Sequence, residues 1–130
     1  MRFGESDLAA IAAAQEIRIE TQSASGTVHR TIIWVVEHEG TIYVRSVDGA
    51  GARWYREAVS DRPAALHVDR RRLPVKLERA TDKASLEAAS AGYQAKYRRS
   101  YSLQSMLMDH TLETTLRVEP ADEPAEEPAA

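Results

Sequence analysis

One stretch carries the strongest structural signal in the chain: VHRTIIWVVEHEGTIYVRSV, residues Val28–Val47. Two runs rich in β-branched residues flank a short turn at Glu39-Gly40, which is the pattern of a β-hairpin. The first run is continuously apolar from Ile32 to Val36, which is typical of a strand covered on both faces. We therefore predict that this hairpin lies at the centre of a sheet.

Working outward from the hairpin, four further segments alternate apolar and polar residues with the period of two that strands show. They read EIRIET, AALHVD, LPVKLE and TLETTLRV. Helical spacing occurs in SDLAAIAAAQ, in GARWYREAVSD and over residues 82–98. The pattern predicts a mainly β, α+β domain of six mostly antiparallel strands and about three helices. A closed or half-closed barrel is favoured because closure removes exposed strand edges.

The charge distribution divides the chain into two parts. The whole sequence of 130 residues has a net charge of −3, but its last stretch, EPADEPAEEPAA, holds five acids and no base. Residues 1–118 therefore carry 17 basic and 15 acidic residues, a net +2. We predict one folded domain over residues 1–118 and a disordered acidic tail over residues 119–130, because its Pro, Ala and Glu content cannot form a core.

Several classes of function find no support in the composition. The chain has no cysteine, which excludes disulfides and thiolate chemistry and suits a cytoplasmic location. No apolar run is long enough to span a membrane, and the N-terminus lacks the apolar core of a signal peptide. The weak net charge does not indicate nucleic acid binding. We expect no metal site, because the histidines lie far apart in sequence: His29, His38, His67 and His110.

A second stretch, VRSVDGAGARWYREA (Val44–Ala58), concentrates arginines and aromatic residues where a strand turns into a helix. Arg45 lies in a strand that is otherwise suited to burial, so it needs a partner, a route to solvent or a cavity. Arg53 opens the helix, where free backbone amides already favour an anion. The stretch is either a packing corner with a solvated rim or a pocket for an anionic, aromatic ligand.

Two more basic residues are candidates for the same role. Arg30 lies in the first strand of the hairpin, and it either reaches solvent or lines a groove where its planar fork binds a phosphate. Lys96 lies beside the Tyr93 and Tyr97 stripe of the third helix. The Lys96 side chain either extends along those rings to solvent or reaches a cofactor phosphate.

The motifs VRSVDG and RWYR, followed in order by AKY and TLRVEP, resemble the bacterial family called domain of unknown function 2255. The likeness covers roughly Ser6 to Pro120. This family is grouped with the flavin-binding split barrels, which include pyridoxamine phosphate oxidases and deazaflavin-dependent nitroreductases. The resemblance therefore implies a split barrel, usually a homodimer, with FMN or a deazaflavin held between the barrel strands and the partner subunit.

The resemblance also implies which residues would meet the cofactor. Basic residues of strands and loops would hold its phosphate. A Trp-Tyr pair after a glycine-rich turn would line the site of the cofactor ring or of the substrate. The candidate cofactor-binding residues are Arg30, Arg45, Ser46, Arg53, Trp54, Tyr55 and Lys96. Our leading hypothesis is that the protein is an FMN-binding split barrel and an oxidoreductase of unknown substrate. A deazaflavin is the second choice of cofactor. The alternative is a cofactor-free dimeric binding or structural protein whose groove takes another anionic small molecule.

Overall fold

The computed structural model describes residues 3–121. Within them the chain forms seven β-strands: β1 (Ile17–Gln22), β2 (Val28–Ile33), β3 (Val35–His38), β4 (Thr41–Val44), β5 (Ala64–Val68), β6 (Arg71–Arg79) and β7 (Leu116–Pro120). The α-helices are α1 (Glu5–Ala13), α2 (Arg53–Ala58), α3 (Lys83–Lys96) and α4 (Asp109–Leu112). Two 3₁₀ turns, Gly49–Gly51 and Tyr101–Leu107, precede α2 and α4.

The strands form one antiparallel sheet in the order β2-β1-β5-β6-β7-β4-β3. Its two edge strands, β2 and β3, are consecutive in the chain and are joined by the single residue Trp34. The sheet curls into a half-barrel, so the predicted mainly β, antiparallel split-barrel fold is confirmed. The strand count is seven rather than six because the apolar run of the hairpin breaks at Trp34.

The predicted central position of the hairpin is wrong. The hairpin itself exists, since β3 pairs with β4 across a turn at Glu39 and Gly40, but β3 is an edge of the sheet. The continuous apolar run has a different cause from the one we inferred. It passes from one edge of the sheet to the other, and Ile32, at 54% exposure, is not covered.

Apolar residues of β3 point into two separate cores. Val35 packs into the main core inside the curled sheet, with α1 and α2 residues against it. The next residue, Val36, packs against α3 in a second core that includes Tyr93 and Tyr97. Helix α3 begins at the N-cap residue Asp82, whose carboxylate accepts a hydrogen bond of 3.1 Å from Ser85 N. Because α3 covers β3, both faces of this edge strand are buried.

The last strand begins later than its alternation indicates. Thr111 belongs to α4, and Thr114 and Thr115 bond backward to carbonyls of α4 rather than entering the ladder. The strand then continues to Pro120, so the predicted domain boundary at 118 falls inside β7. Ala121 N donates to Pro74 O at 2.9 Å. The rest of the predicted tail, residues 122–130, lies outside the described residues.

Candidate functional site

A cavity of about 400 Å³ opens where β2 ends and the chain turns through Trp34. We call it the indole cavity, because Trp34 and Trp54 both line it. Its charged lining residues are Arg45 and the two acids Glu16 and Asp48. The cavity therefore combines two large aromatic side chains with one buried cation, which suits a planar ligand better than a polyanion.

Trp34 is fixed by the second core. Its ring stacks on Tyr97 with centroids 3.9 Å apart and planes 3° from parallel. The Tyr93 hydroxyl donates to the Trp34 carbonyl at 3.2 Å, and the Tyr97 hydroxyl donates to Gln15 O at 2.6 Å. Trp34 lies in the apolar run that we expected to be covered on both faces, and it is instead half-buried with part of its surface in the cavity. Its rigid attachment makes it a preformed wall.

Trp54 and Tyr55 point to different places, as adjacent helix positions must. Trp54 is 7% exposed and lines the indole cavity, whereas Tyr55 is 3% exposed in the main core. Their rings meet edge to face at 6.1 Å. Tyr55 therefore holds the position of α2 and of Trp54, and it does not line the cavity.

Ser46 shapes the turn that leads into α2. Its hydroxyl donates to Gly49 O at 2.8 Å, and its backbone amide donates to Thr114 Oγ1 at 2.8 Å. Gly49 has a φ of +81°, and a Cβ there would lie 3.3 Å from the His110 ring. Both the backbone conformation and the close approach require glycine at this position. Ser46 thus acts on the turn, with its polar atoms bonded inside the protein.

Arg45 is buried, with 1% exposure, and its guanidinium is bonded on three sides. It donates to Thr115 Oγ1 at 2.8 Å, to Ser90 Oγ at 3.1 Å and to the carbonyls of Met106 and Leu86, each at 3.1 Å. Among residues 3–121 no carboxylate forms an ion pair with it, and burial lowers its pKa. Four of its five N–H donors are thus used inside the protein. The main role of these hydrogen bonds is structural, because they connect the end of β4 to α3 and to the 3₁₀ turn before α4.

The other three predicted basic residues do not converge on one point. Arg53 is exposed and donates to Thr31, a residue that lines the indole cavity, at 3.3 Å. Arg30 is 57% exposed, and its Nε lies 3.9 Å from a Glu20 carboxylate oxygen. Lys96 donates to the Val35 carbonyl at 2.7 Å, and burial lowers its pKa to about 8. Arg53 is therefore the predicted basic residue that lies at the cavity edge, and within residues 3–121 it forms no ion pair, although its charge helps to lower the pKa of Glu57.

The family model described as "Uncharacterized protein conserved in bacteria (DUF2255)" matches residues 7–118. The chain belongs to this family. No protein of curated function matches the sequence. The family assignment agrees with the resemblance on which we based the expected split barrel.

Solved structures share the fold of this DUF2255 protein at low identity. A Bacteroides thetaiotaomicron protein named for 5-nitroimidazole antibiotic resistance is 11% identical, with a TM-score of 0.65, over 92% of this chain and 81% of that one. A Listeria innocua protein named as a pyridoxamine 5′-phosphate oxidase is 10% identical, with a TM-score of 0.60, over 92% of both chains. The Vibrio cholerae heme storage protein HutZ is 14% identical, with a TM-score of 0.61, over 95% and 93%. These likenesses show the fold alone.

The DUF2255 chain also contains a buried carboxylate with a histidine partner, which the sequence analysis did not predict. Glu57 on α2 accepts from Thr21 Oγ1 at 2.8 Å and lies 3.2 Å from His29 Nδ1. Burial alone would raise the pKa of Glu57, but these hydrogen bonds outweigh it and the pKa is lowered. The sequence offers no signal for this role, because Glu57 directly follows the exposed Arg56 in a short, charged helix.

From the sequence we expected neither a membrane-spanning segment nor a metal site, and residues 3–121 can be inspected for both. No helix there has the length and apolar character needed to cross a membrane. No group of three or more His, Cys, Asp or Glu side chains is arranged to hold a metal ion in the same range.

Proposed function

We propose that the indole cavity binds the ring of a flavin-type cofactor, FMN in the first place and a deazaflavin in the second. The observation that carries this proposal is that Trp34 and Trp54 line one cavity of about 400 Å³ together with the buried cation Arg45. Aromatic walls favour a flat conjugated ring, and a nearby positive charge favours a ligand that carries negative charge. Trp34 is held by Tyr97 before any ligand arrives, so little ordering would be needed.

The phosphate of such a cofactor would bind outside the cavity proper. Glu16 and Asp48 line the cavity and would repel a phosphate, and most of the donors of Arg45 are already bonded. Arg53 is exposed at the cavity edge, beside Thr31, and its planar fork suits an oxyanion. Among the basic residues that we predicted from sequence, Arg53 is therefore the one we assign to the phosphate.

The bound flavin would supply redox chemistry, and the protein would supply position and charge. Trp34 and Trp54 would exclude water from one side of the ring. Arg45 would keep a fixed positive charge near it. We name no protein residue as a proton donor, and the substrate of an oxidoreductase reaction stays open.

We also propose that the protein is a homodimer in the cytoplasm. Val28 and Ile32, which lie four positions apart on the same face of β2, are 49% and 54% exposed. Ile32 also lines the indole cavity, so a second copy on this face would cover the apolar surface and help to enclose the ligand. Light scattering tests the dimer directly, and a monomeric mass at micromolar concentration would contradict it.

The cofactor proposal is tested first by the visible absorption spectrum of the purified protein and then by titration with FMN and a deazaflavin, followed by tryptophan fluorescence. We expect quenching with saturation, because both tryptophans face the ligand. Arg53→Gln should weaken FMN binding about tenfold, the scale of a charged hydrogen bond. Arg56→Gln is the matched control, since Arg56 lies on the same helix and is exposed. Riboflavin, which has no phosphate, should bind the Arg53→Gln variant and the unchanged protein equally.

A second candidate is a cofactor-free dimer that uses the same cavity for another anionic small molecule. It is favoured by the four internal hydrogen bonds of Arg45, which leave one N–H donor for an anion smaller than a phosphate. A colourless protein that shows no quenching at about 50 μM FMN or deazaflavin, a concentration above the usual affinity of a resident cofactor, would overturn the flavin proposal in favour of this one.

A further inference from the structure

A second cavity, of about 720 Å³, lies on the other side of Ile32 from the indole cavity. It runs between the C-terminal end of α1 and the turn that joins β5 to β6. We call it the arginine groove, because Arg18, Arg70, Arg71 and Arg72 line it. Its floor is apolar and consists of small or aliphatic side chains: Ala10, Ala13, Ala14, Ile17 and Val68.

The four arginines divide into two pairs. Arg71 donates to the Asp7 carboxylate at 2.7 Å, and Arg72 forms an ion pair with Glu20 at 2.9 Å. Arg18 and Arg70 make no side-chain hydrogen bond or ion pair with any residue of the described range 3–121. Arg18 lies opposite Ile32 on β2 and opposite His67 on β5. The groove therefore offers two guanidinium groups whose donors are not used by the protein.

The backbone at Arg70 gives an independent reason to assign it a role. Asp69 and Arg70 form a two-residue turn with φ of 50° and 64°, between the paired residues Val68 and Arg71. This left-handed conformation costs a residue with a side chain about 1–2 kcal/mol, and glycine nothing.

The same chain contains a version of this turn with glycine at the second position. In the hairpin of β3 and β4, the two turn residues are Glu39 and Gly40, with φ of 52° and 87°. The first position is acidic in both turns, but the second is glycine in one and arginine in the other. Glycine would fit the position of Arg70 without backbone strain, as it does at Gly40. The presence of an arginine there instead indicates that its side chain has a function.

We propose that the arginine groove is a binding site for a small organic carboxylate, with the carboxylate between Arg18 and Arg70 and an apolar body on the alanine floor. The planar fork of each arginine matches a carboxylate. Glu16 and Asp69 also line the groove and form no ion pair within residues 3–121, so they disfavour a phosphate dianion and select a single negative charge. This proposal is independent of whether a cofactor occupies the indole cavity.

The test is a titration of isotope-labelled protein with 4-phenylbutyrate, followed by NMR at the side-chain Nε–H groups of Arg18 and Arg70 and at the backbone amides of Ala13 and Ala14. We expect saturable shifts with a dissociation constant near 1 mM, ordinary for a single ion-paired contact on an open apolar floor. The uncharged amide of the same compound and inorganic phosphate should each bind about tenfold more weakly. The indole N–H signals of Trp34 and Trp54 report the other cavity separately.

Two variants make the result decisive. Arg18→Gln should weaken 4-phenylbutyrate binding about tenfold. Arg70→Gly should weaken it equally while raising the midpoint of thermal unfolding, because it removes the backbone strain. A purely structural role for Arg70 would not separate the two measurements in this way. Arg56→Gln is the control and should change neither.

The proposal would be overturned by equal binding of the amide or of inorganic phosphate, by unchanged affinity in Arg70→Gly, or by no saturable shift at about 20 mM ligand. Shifts confined to the indole signals would also overturn it, and they would place the ligand in the indole cavity. Failure of FMN binding would not contradict the groove proposal, because tryptophan fluorescence reports the indole cavity and the arginine and alanine NMR signals report the arginine groove.

Discussion

The guanidinium carbon of Arg45 lies 5.5 Å from the centroid of the Tyr93 ring, in the packing between β4 and α3. Both groups are removed from water, so burial lowers the pKa of Arg45 and raises that of Tyr93. The Tyr93 hydroxyl in turn bonds the Trp34 carbonyl. The buried cation is thereby connected to the corner where the two edges of the sheet meet, so a change at Arg45 affects stability before it affects any ligand.

Replacement of Arg45 by alanine should lower the free energy of unfolding by about 3 kcal/mol, since four hydrogen bonds are lost and buried acceptors are left without donors. Arg45→Lys should also destabilise, because an ammonium cannot reach the same acceptors. Urea denaturation measures both. Arg53→Ala is the control and should cost less than about 0.5 kcal/mol, as is usual for an exposed side chain. A loss below that level in Arg45→Ala would contradict the structural role.

Acid should destabilise the protein through Glu20. The hydrogen bond from Arg72 lowers the pKa of Glu20 from 4.5 to about 2, with a further contribution from His67 and an opposing one from burial. A carboxylate with a depressed folded pKa adds stability above its unfolded pKa, and this stability is lost as the pH falls from 4.5 through 2. We expect a loss on the order of 2 kcal/mol, because Arg72 is 40% exposed and solvent screens the pair.

Glu20→Gln is the variant that isolates this effect. It should be less stable than the unchanged protein at pH 6 and should lose less stability between pH 4.5 and 2. Chemical denaturation at a series of pH values gives both curves. Parallel curves for the two proteins would show that Glu20 titrates normally.

Lys96 should titrate near pH 8 in the folded protein. Burial lowers its pKa from 10.5 to about 8, so the unfolded chain binds the extra proton between these values. Stability should therefore rise as the pH increases from 8 to 10.5, by about 1 kcal/mol after allowance for its partial exposure. An NMR titration of the Lys96 side chain measures the midpoint. A midpoint at the ordinary value of 10.5 would show that water reaches the amine freely.

Gly92 should resist replacement by alanine although it lies inside α3. Alanine usually stabilises a helix interior by about 1 kcal/mol relative to glycine. Here a Cβ would lie 3.0 Å from Val36 Cγ2 and 3.1 Å from Val36 Cβ. The β-branched Val36 is fixed in an edge strand and cannot move aside, so we expect a net loss of about 1–2 kcal/mol. The pair Gly92→Ala with Val36→Ala should be more stable than the sum of the two single losses, as thermal unfolding would show.

Local patterns predicted the fold well because each element satisfies its own preferences. The turn at Glu39 and Gly40, α3 and the alternating strands lie where spacing placed them, except that β7 begins at Leu116. The break at Trp34 was not predictable in this way, because Ile33 and Val35 are both apolar and both buried on its two sides. Their burial depends on which edge of the sheet each strand joins, which is a property of the whole topology.

The candidate site was less predictable for the same reason. Alternation predicts that Arg45 lies within a strand, whereas β4 ends at Val44, one residue earlier. It gives no sign that Ser90 and Thr115, 45 and 70 residues away, supply the partners of Arg45. In the sequence, Arg70–Arg72 are three adjacent and equivalent basic residues. Only the contacts of Asp7 and Glu20 show that two of them are neutralised and that Arg70 is not.

The junction at Trp34 also has a mechanical meaning. Hydrogen bonds link all seven strands in one row from β2 to β3, and the covalent backbone at Trp34 returns from the last strand of that row to the first. Six hydrogen-bonded strand pairs and the single residue Trp34 thus form one closed circuit. Because that residue is bonded to both edge strands, we expect a ligand that displaces the indole to shift both edges of the sheet together.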